Sequence, residues 1–473
     1  MKNGILKKSM PYAILKIVGY IVSMLAIPIL TNTFSMSEYG ELASLEAITT
    51  VLISIFLLGL QQSYIRYYNY EVSNHSTSKY NSTYFTLTAF LMIFSTFASF
   101  FVISIFVKQA KLSFVLACFV SLTVFMQQLI ATVRAKEKTV IHSLILGMND
   151  ILGYFLPLGI ILLFKPSIQL YFEVKLALIF IITCLSIIYL RHEIKFDGFN
   201  YTYVKKMLVF GLPLVLVGLG TSIFSLGDRL VIGQIMSTNQ VAIYSVASKI
   251  THSIQQVLIY PISMVLFPMY VRIWENNGRE KVEESLSKWF ISYYFISIPI
   301  ICGSFVIQKE LITLLSNNSY LGGAILIPIL CSGFLIYGGY YFVSCGLFVT
   351  NQTFKLGLII ISSSIVNIVL DVIFGLMFGL IGVAVATAFS YILLMWITYK
   401  ASAEILSITI QWNLIARFTI IGIAMILFLS FIPTQNNVLI TIFLKVIIGG
   451  SFYFISNLKF LRDSLFLKLK EKQ

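Results

Sequence analysis

Charge is scarce in this sequence. Asp, Glu, Lys and Arg together make up 11% of it, where a soluble domain carries roughly a quarter. No water-facing globular surface can be assembled from so few charges. Acid is scarcer than base, with 19 Asp and Glu against 33 Lys and Arg. The five cysteines (Cys118, Cys184, Cys302, Cys331 and Cys345) lie far apart inside apolar stretches, which excludes a disulfide framework or a paired-cysteine metal site and leaves small buried side chains. Only four histidines occur, and they gather neither with one another nor with a pair of carboxylates. His75, His142 and His192 read as interfacial or loop residues, and His252 as a core residue or a member of a proton path. Long polar stretches are missing as well. The longest are 191–206 and 272–288 on one side and 309–323 on the other, too short for the extramembrane loop that a membrane sugar polymerase or ligase needs.

What fills the chain is hydrocarbon: 58% hydrophobic residues and a mean hydropathy of +0.91. A helix of about 20 apolar residues crosses a bilayer core. The apolar stretches 11–33, 41–63, 83–107, 112–133, 141–164, 170–190 and 207–236 qualify, followed by 241–271, 289–308, 324–349, 356–377, 379–399, 418–434 and 438–458. The expectation is an all-α polytopic membrane protein of about fourteen transmembrane helices. With the N-terminus inside, cytoplasmic segments carry 24 Lys or Arg and outer segments five (Lys108, Lys111, Lys165, Lys175 and Lys309). Such an excess of inner Lys and Arg sets orientation, so both termini are expected in the cytoplasm of a bacterial inner membrane. The same asymmetry explains the net charge of +14 without a nucleic-acid partner. Lys2, Lys7 and Lys8 precede the first apolar run, but Lys16 interrupts it and no A-x-A site follows, so an uncleaved first helix is expected rather than a signal peptide.

The two halves resemble each other. Pro11 and Pro213 are 202 residues apart, and at the same offset the segment beginning Ser35-Met-Ser-Glu-Tyr-Gly40 pairs with the one beginning Ser237-Thr-Asn-Gln-Val-Ala242. Slightly further on, Tyr64-Ile-Arg66 pairs with Tyr270-Val-Arg272. Three matches in one order point to a duplicated bundle, a common transporter plan with the substrate handled between the halves.

Charges inside the spans cost at least ~2.5–3.5 kcal/mol each at the bilayer centre. Lys16, the adjacent Asp228 and Arg229, Lys249 and Asp371 are such charges. One reading makes them interhelical ion pairs that hold the bundle together. The other places Lys16, Arg229 and Lys249 around a positive cavity suited to an anionic headgroup such as pyrophosphate. Arg66 and Arg272 at cytoplasmic helix ends serve as positive-inside anchors or guard an entry portal, and Arg134 is an anchor. Asp228, Asn367, Asp371 and Thr387 offer oxygen ligands, with the Val383 carbonyl near Gly379 and Gly382. Such a set fits a hard cation, and equally a hydrogen-bonded helix contact.

At these residues the chain resembles the Wzx-type polysaccharide flippases of the MATE and lipid II flippase superfamily. The resemblance rests on Ile29-Leu-Thr-Asn-Thr-Phe-Ser-Met-Ser-Glu-Tyr-Gly40, Gly59-Leu60 and Ile65-Arg66-Tyr67. It continues in Phe210-Gly-Leu-Pro213, Ser225-Leu-Gly-Asp-Arg229 and Ala242-Ile-Tyr-Ser-Val-Ala-Ser-Lys-Ile250. It implies two six-helix lobes in a V shape, 1–206 and 207–400, and a C-terminal helix pair with a basic tail, 401–473. It further implies alternating access and an undecaprenyl-pyrophosphate-linked oligosaccharide as substrate. A polysaccharide polymerase and a chain-length regulator are the implied partners. Related lipid II flippases bind sodium through Asp, Asn-x3-Asp, a carbonyl and Thr, an order that Asp228, Asn367, Asp371, Val383 and Thr387 match. They also carry several arginines in their first two helices where this chain has Lys16, so lipid II is not the expected substrate. The expectation is a transporter, not an enzyme, with no cofactor beyond a coupling Na⁺ or H⁺. The rivals are a multidrug exporter of the same superfamily, whose cavity would be acidic, and a sugar polymerase or ligase.

Overall fold

The computed structural model describes residues 2–462 apart from 195, 197, 351, 434 and 436. The basic tail expected beyond 462 lies outside the described residues. Among them there is no strand. The segment expected as the N-lobe contains α1 (Lys2–Thr33), α2 (Met36–Phe56), α3 (Leu60–Ser73), α4 (Thr77–Phe106), α5 (Ala110–Ala135), α6 (Thr139–Leu163) and α7 (Ile168–Leu190). The segment expected as the C-lobe contains α8 (Tyr201–Ile235), α9 (Thr238–Leu315), α10 (Leu326–Tyr337), the short α11 (Tyr340–Val343) and α12 (Cys345–Val349), and α13 (Thr353–Ala403). α14 (Trp412–Ser430) and α15 (Val438–Ser456) follow and pack against α9.

Twelve helices among the described residues are long and apolar enough to cross a membrane. α13 is counted once there, yet it makes two passes. At Gly379 the backbone turns to φ 62, ψ −146, a conformation open essentially to glycine alone. The arms then run back so closely that a Cβ on Gly382 would lie 1.9 Å from the Phe374 carbonyl oxygen. α9 breaks likewise at Gly278 (φ 77, ψ −172), and its first arm, which carries Lys249, is the remaining pass of the expected fourteen. Two expected spans are less regular than their hydropathy suggests. The span at 41–63 turns at Leu58 and Gly59, both at positive φ, and the span at 324–349 is divided into α10, α11 and α12.

Apolar side chains cover the lipid-facing surface, including Phe97, Phe101, Leu163 and Phe431, as a bilayer solvent requires. Within the N-lobe, α1 packs on α6, and α5 on α4 and α7; within the C-lobe, α8 packs on α13, and α10 on α9 and α13. The lobes meet where α2 lies against α8 and α9, and α1 against α9. Both α2 and α9 begin at a serine N-cap of extended backbone, Ser35 and Ser237, whose side chains accept from the amides of Glu38 and Gln240. Glu38 completes a capping box by accepting the Ser35 amide at 2.8 Å. These two repeat-related starts touch. Ser37 Oγ is 3.1 Å from Thr238 Oγ1, and Gly40 lies against the Thr238 backbone so tightly that a Cβ there would be 1.9 Å from its carbonyl oxygen.

Candidate functional site

Between the lobes lies a cavity of about 320 Å³, walled by α1, α2, α5, α6 and α7 on one side and by α8 and α9 on the other. Arg229 and Lys249, expected from the sequence to face such a cavity, both line it. Arg229 is 7% exposed. Its Nε donates to Ser245 Oγ at 3.1 Å, and its terminal nitrogens donate to the Ser225 carbonyl at 2.8 Å and Ser248 Oγ at 3.4 Å. Those partners are all neutral, so they orient the guanidinium without cancelling its charge. Lys249 Nζ sits 5.0 Å from the centre of the Tyr154 ring, a cation–π contact made stronger by desolvation.

Two further charged groups in this cavity were not anticipated. Lys175, counted among the outer lysines from its position near a span end, is in α7 and lines the cavity. Its ammonium donates to Glu46 of α2 at 2.9 Å and lies 4.5 Å from the Tyr171 ring centre. Tyr171 also donates to Glu46, at 3.2 Å. Both residues fall inside expected spans, so the cost of an intramembrane charge was the available signal. Lys16 is placed differently from the expectation. It pairs with Asp150 of α6 at 2.5 Å, beside an adjoining pocket lined by Asp150, Tyr154 and Lys175, and is not in the wall of the central cavity. Lys175, not Lys16, is the lysine of the N-terminal half that lines the cavity. The cavity wall thus carries three cations and one carboxylate, an excess of positive charge. Arg66 and Arg272 are outside this wall. The Arg66 guanidinium lies 4.3 Å from the Phe210 ring centre, and Arg272 is exposed near the end of the first α9 arm.

The expected oxygen set gathers within the C-lobe. Asp228 of α8, Asn367 and Asp371 of the first α13 arm, and Val383 and Thr387 of the second are all essentially buried, with Asp228 the most accessible at 2%. Gly375 and Gly382 let the α13 arms approach. Thr387 Oγ1 lies 2.9 Å from the Val383 carbonyl oxygen and 3.2 Å from Asp228 Oδ2, and Asn367 Nδ2 donates to Asp371 Oδ1 at 3.1 Å. Tyr244 of α9, which the sequence reading missed, donates its hydroxyl to Asp228. Three oxygens remain without a hydrogen-bond partner: Asp228 Oδ1, Asp371 Oδ2 and Asn367 Oδ1. Buried polar atoms are rarely left unpaired, and oxygens of this kind are the ligands a hard cation takes. No group of three or more His, Cys, Asp or Glu that could hold a metal occurs among the described residues.

Comparison with known proteins identifies the family and the fold. A family described as "Polysaccharide biosynthesis protein" matches residues 29–325, more than half of the chain. A probable low-salt glycan biosynthesis flippase, Agl15 of Haloferax volcanii, is 23% identical over 256 residues, 54% of this chain and 54% of that protein. An uncharacterized membrane protein of Methanocaldococcus jannaschii is 26% identical over 202 residues, 42% of this chain and 39% of its own length. The chain spans about half the length or less of these curated relatives. Among solved structures, lipid II flippase MurJ in an inward closed conformation has a TM-score of 0.79 at 17% identity, covering 97% of this chain and 100% of that one. An inward-facing multidrug resistance MATE family transporter has a TM-score of 0.68 at 15% identity, covering 81% and 94%. The fold is therefore the one shared by lipid II flippases and MATE transporters, and the chain belongs to the polysaccharide biosynthesis protein family.

Proposed function

We propose that this protein is a flippase that carries a lipid-linked saccharide across a membrane by alternating access of its two lobes. The observation that carries this reading is the convergence of Arg229, Lys175 and Lys249 on one inter-lobe cavity opposed by the single carboxylate of Glu46. An anionic pyrophosphate suits such a wall: the guanidinium offers a fork of donors, and the lysines are mobile point charges. The same excess of cations disfavours an organic-cation exporter, even though MATE transporters share the fold. The named activity of the Haloferax volcanii relative supports the class of substrate. The finer reading is an undecaprenyl-pyrophosphate-linked O-antigen or capsule repeat unit, moved from the cytoplasmic to the outer leaflet of a bacterial inner membrane. Both termini are then cytoplasmic, and a polymerase and chain-length regulator act on the product. Na⁺ or H⁺ at Asp228, Asn367, Asp371, Val383 and Thr387 would couple the cycle to an ion gradient.

The geometry divides the work among this chain's own residues. Ser225, Ser245 and Ser248 hold Arg229 toward the cavity, and Tyr154 steadies Lys249. Glu46 occupies Lys175 until an anion competes for it. Deleting the gene in its host should abolish the surface polysaccharide and accumulate its lipid-linked precursor. The Arg229→Ala, Lys175→Ala, Lys249→Ala triple variant should fail to restore the polysaccharide although it reaches the membrane at wild-type levels. Full restoration by the triple variant would sink the reading.

A further inference from the structure

The C-lobe contains a second chamber that headgroup binding does not use. α10 ends at Tyr337, and the chain resumes helix only in the short α11 and α12. Interrupted helix persists at membrane depth only where protein or a cavity surrounds it. Here two tyrosines of the second α9 arm cap the break: Tyr293 donates its hydroxyl to the Leu335 carbonyl at 2.6 Å, and Tyr294 donates to Ile336 at 3.0 Å. A Cβ at Gly338 or Gly339 would lie 1.8 Å or 2.5 Å from those hydroxyl oxygens, so glycine at both positions leaves the tyrosines room to reach the break. The consequence of the break is that Tyr337 and Tyr341 face a hollow.

That hollow has two adjoining parts of about 250 and 290 Å³, with Thr221, Tyr337, Tyr341 and Ile360 in the walls of both. The first part also shares Ser225 and His252 with the central cationic cavity, so it adjoins the place where the headgroup is proposed to sit. Gln256 reaches it one turn beyond His252, with its Nε2 3.3 Å from the His252 Nε2. Tyr391 forms another wall, its ring 4.7 Å from that of Tyr337. Neither part is lined by Asp, Glu, Lys or Arg. The chamber is therefore uncharged, but it is edged with amide and hydroxyl groups around aromatic faces. A prenyl tail gains nothing from the amide and hydroxyls, and an ion finds no countercharge. A pyranose ring satisfies both features, with C–H faces for the aromatic rings and hydroxyls for the polar rim.

We propose that this chamber is the saccharide subsite. With the pyrophosphate on Arg229, Lys175 and Lys249, the sugars nearest to it enter the C-lobe and lie against Tyr337 and Tyr341, with Gln256 and Thr221 bonding their hydroxyls. This rests on the flippase reading. Tyr391 is one turn from Thr387 on the same helix arm, which places the sugar wall next to the oxygen set.

The test titrates two lipids against the full-length protein in nanodiscs: bare undecaprenyl pyrophosphate, and the saccharide-bearing form extracted from cells deleted for this protein. The wild type should bind the saccharide form about tenfold tighter, as expected of one or two hydrogen bonds with ring contact. Gln256→Ala with Tyr341→Ala should abolish that preference and leave affinity for the bare lipid unchanged, while Tyr341→Phe keeps most of it. Equal binding of the two lipids by the wild type would overturn the saccharide subsite while leaving the headgroup cavity standing. So would a parallel loss of both lipids in the alanine and phenylalanine variants. Binding of neither lipid by the wild type would overturn the flippase reading and the subsite with it.

Discussion

An alanine at Gly40 would place its Cβ 1.9 Å from the Thr238 carbonyl oxygen and 2.8 Å from the carbonyl carbon, where ordinary contact begins at 3.4 Å. Both atoms are backbone, at the capped start of α9, so no side chain can swing aside. The helices must separate by about 1.5 Å, the difference between 3.4 and 1.9 Å. Overpacking of this kind costs roughly 1–3 kcal/mol, which corresponds to about a 5–150-fold shift in a two-state population. The contact joins the lobes at the end that the lysine and arginine distribution places outside, so the shift disfavours the state closed there. Ser37 and Thr238 supply the readout, because their hydroxyl oxygens are 3.1 Å apart. In a background without the five native cysteines, Ser37→Cys with Thr238→Cys should form a disulfide readily under mild oxidation. Adding Gly40→Ala should slow its formation at least about fivefold, at the low end of that range. Equal rates with glycine and alanine would refute the close backbone crossing.

Other expectations follow from the same contacts. Na⁺ at millimolar concentration should raise the melting temperature of the purified protein more than K⁺ does, since ligands of the native state stabilise it. Asp371→Asn should abolish the difference, and identical Na⁺ and K⁺ curves in the wild type would rule out a sodium site. Lys445 of α15 donates to Glu310 of α9 at 2.7 Å, with the side chains 7% and 13% exposed. Lys445→Ala should therefore destabilise the docking of the C-terminal pair by about 3–5 kcal/mol, while the double change to leucine at both positions restores most of it. An unchanged melting temperature in Lys445→Ala would refute a buried pair. Reporter fusions after Lys206 and after Glu471 should both report cytoplasm, and an outer signal at either would break the fourteen-pass topology.

Much of the architecture was legible because the bilayer writes itself into composition and period. Ser35 and Ser237 stand 202 residues apart and cap the two helices that cross between the lobes, so the repeat was visible at its interface. Asn367 and Asp371, and again Val383 and Thr387, are four apart and share a helix face, which made the oxygen set readable in order. Asp228 joined it as the other carboxylate buried in a span, and the resemblance supplied the same order. Long-range pairings were not legible. Glu46 meets Lys175 across 129 residues and Lys16 meets Asp150 across 134. A tally of lysines by side of the membrane cannot tell a loop lysine from one a turn or two inside a helix, and Lys175 was misassigned for that reason. The break after Tyr337 hid inside an unbroken apolar run. Its only local mark was Gly338-Gly339, and what those glycines leave room for are two hydroxyls from another helix.

The central claim is that the cationic inter-lobe cavity carries a lipid-linked saccharide from one leaflet to the other. Purified protein reconstituted into liposomes, loaded in the inner leaflet with the saccharide lipid extracted from deletion cells, tests it directly. Appearance of that saccharide to an added lectin or glycosidase measures its transfer outward. The account predicts transfer by the wild type, greatly slowed in the Arg229→Ala, Lys175→Ala, Lys249→Ala variant. Equal transfer by wild type and triple variant, or none above protein-free liposomes by the wild type, would contradict it.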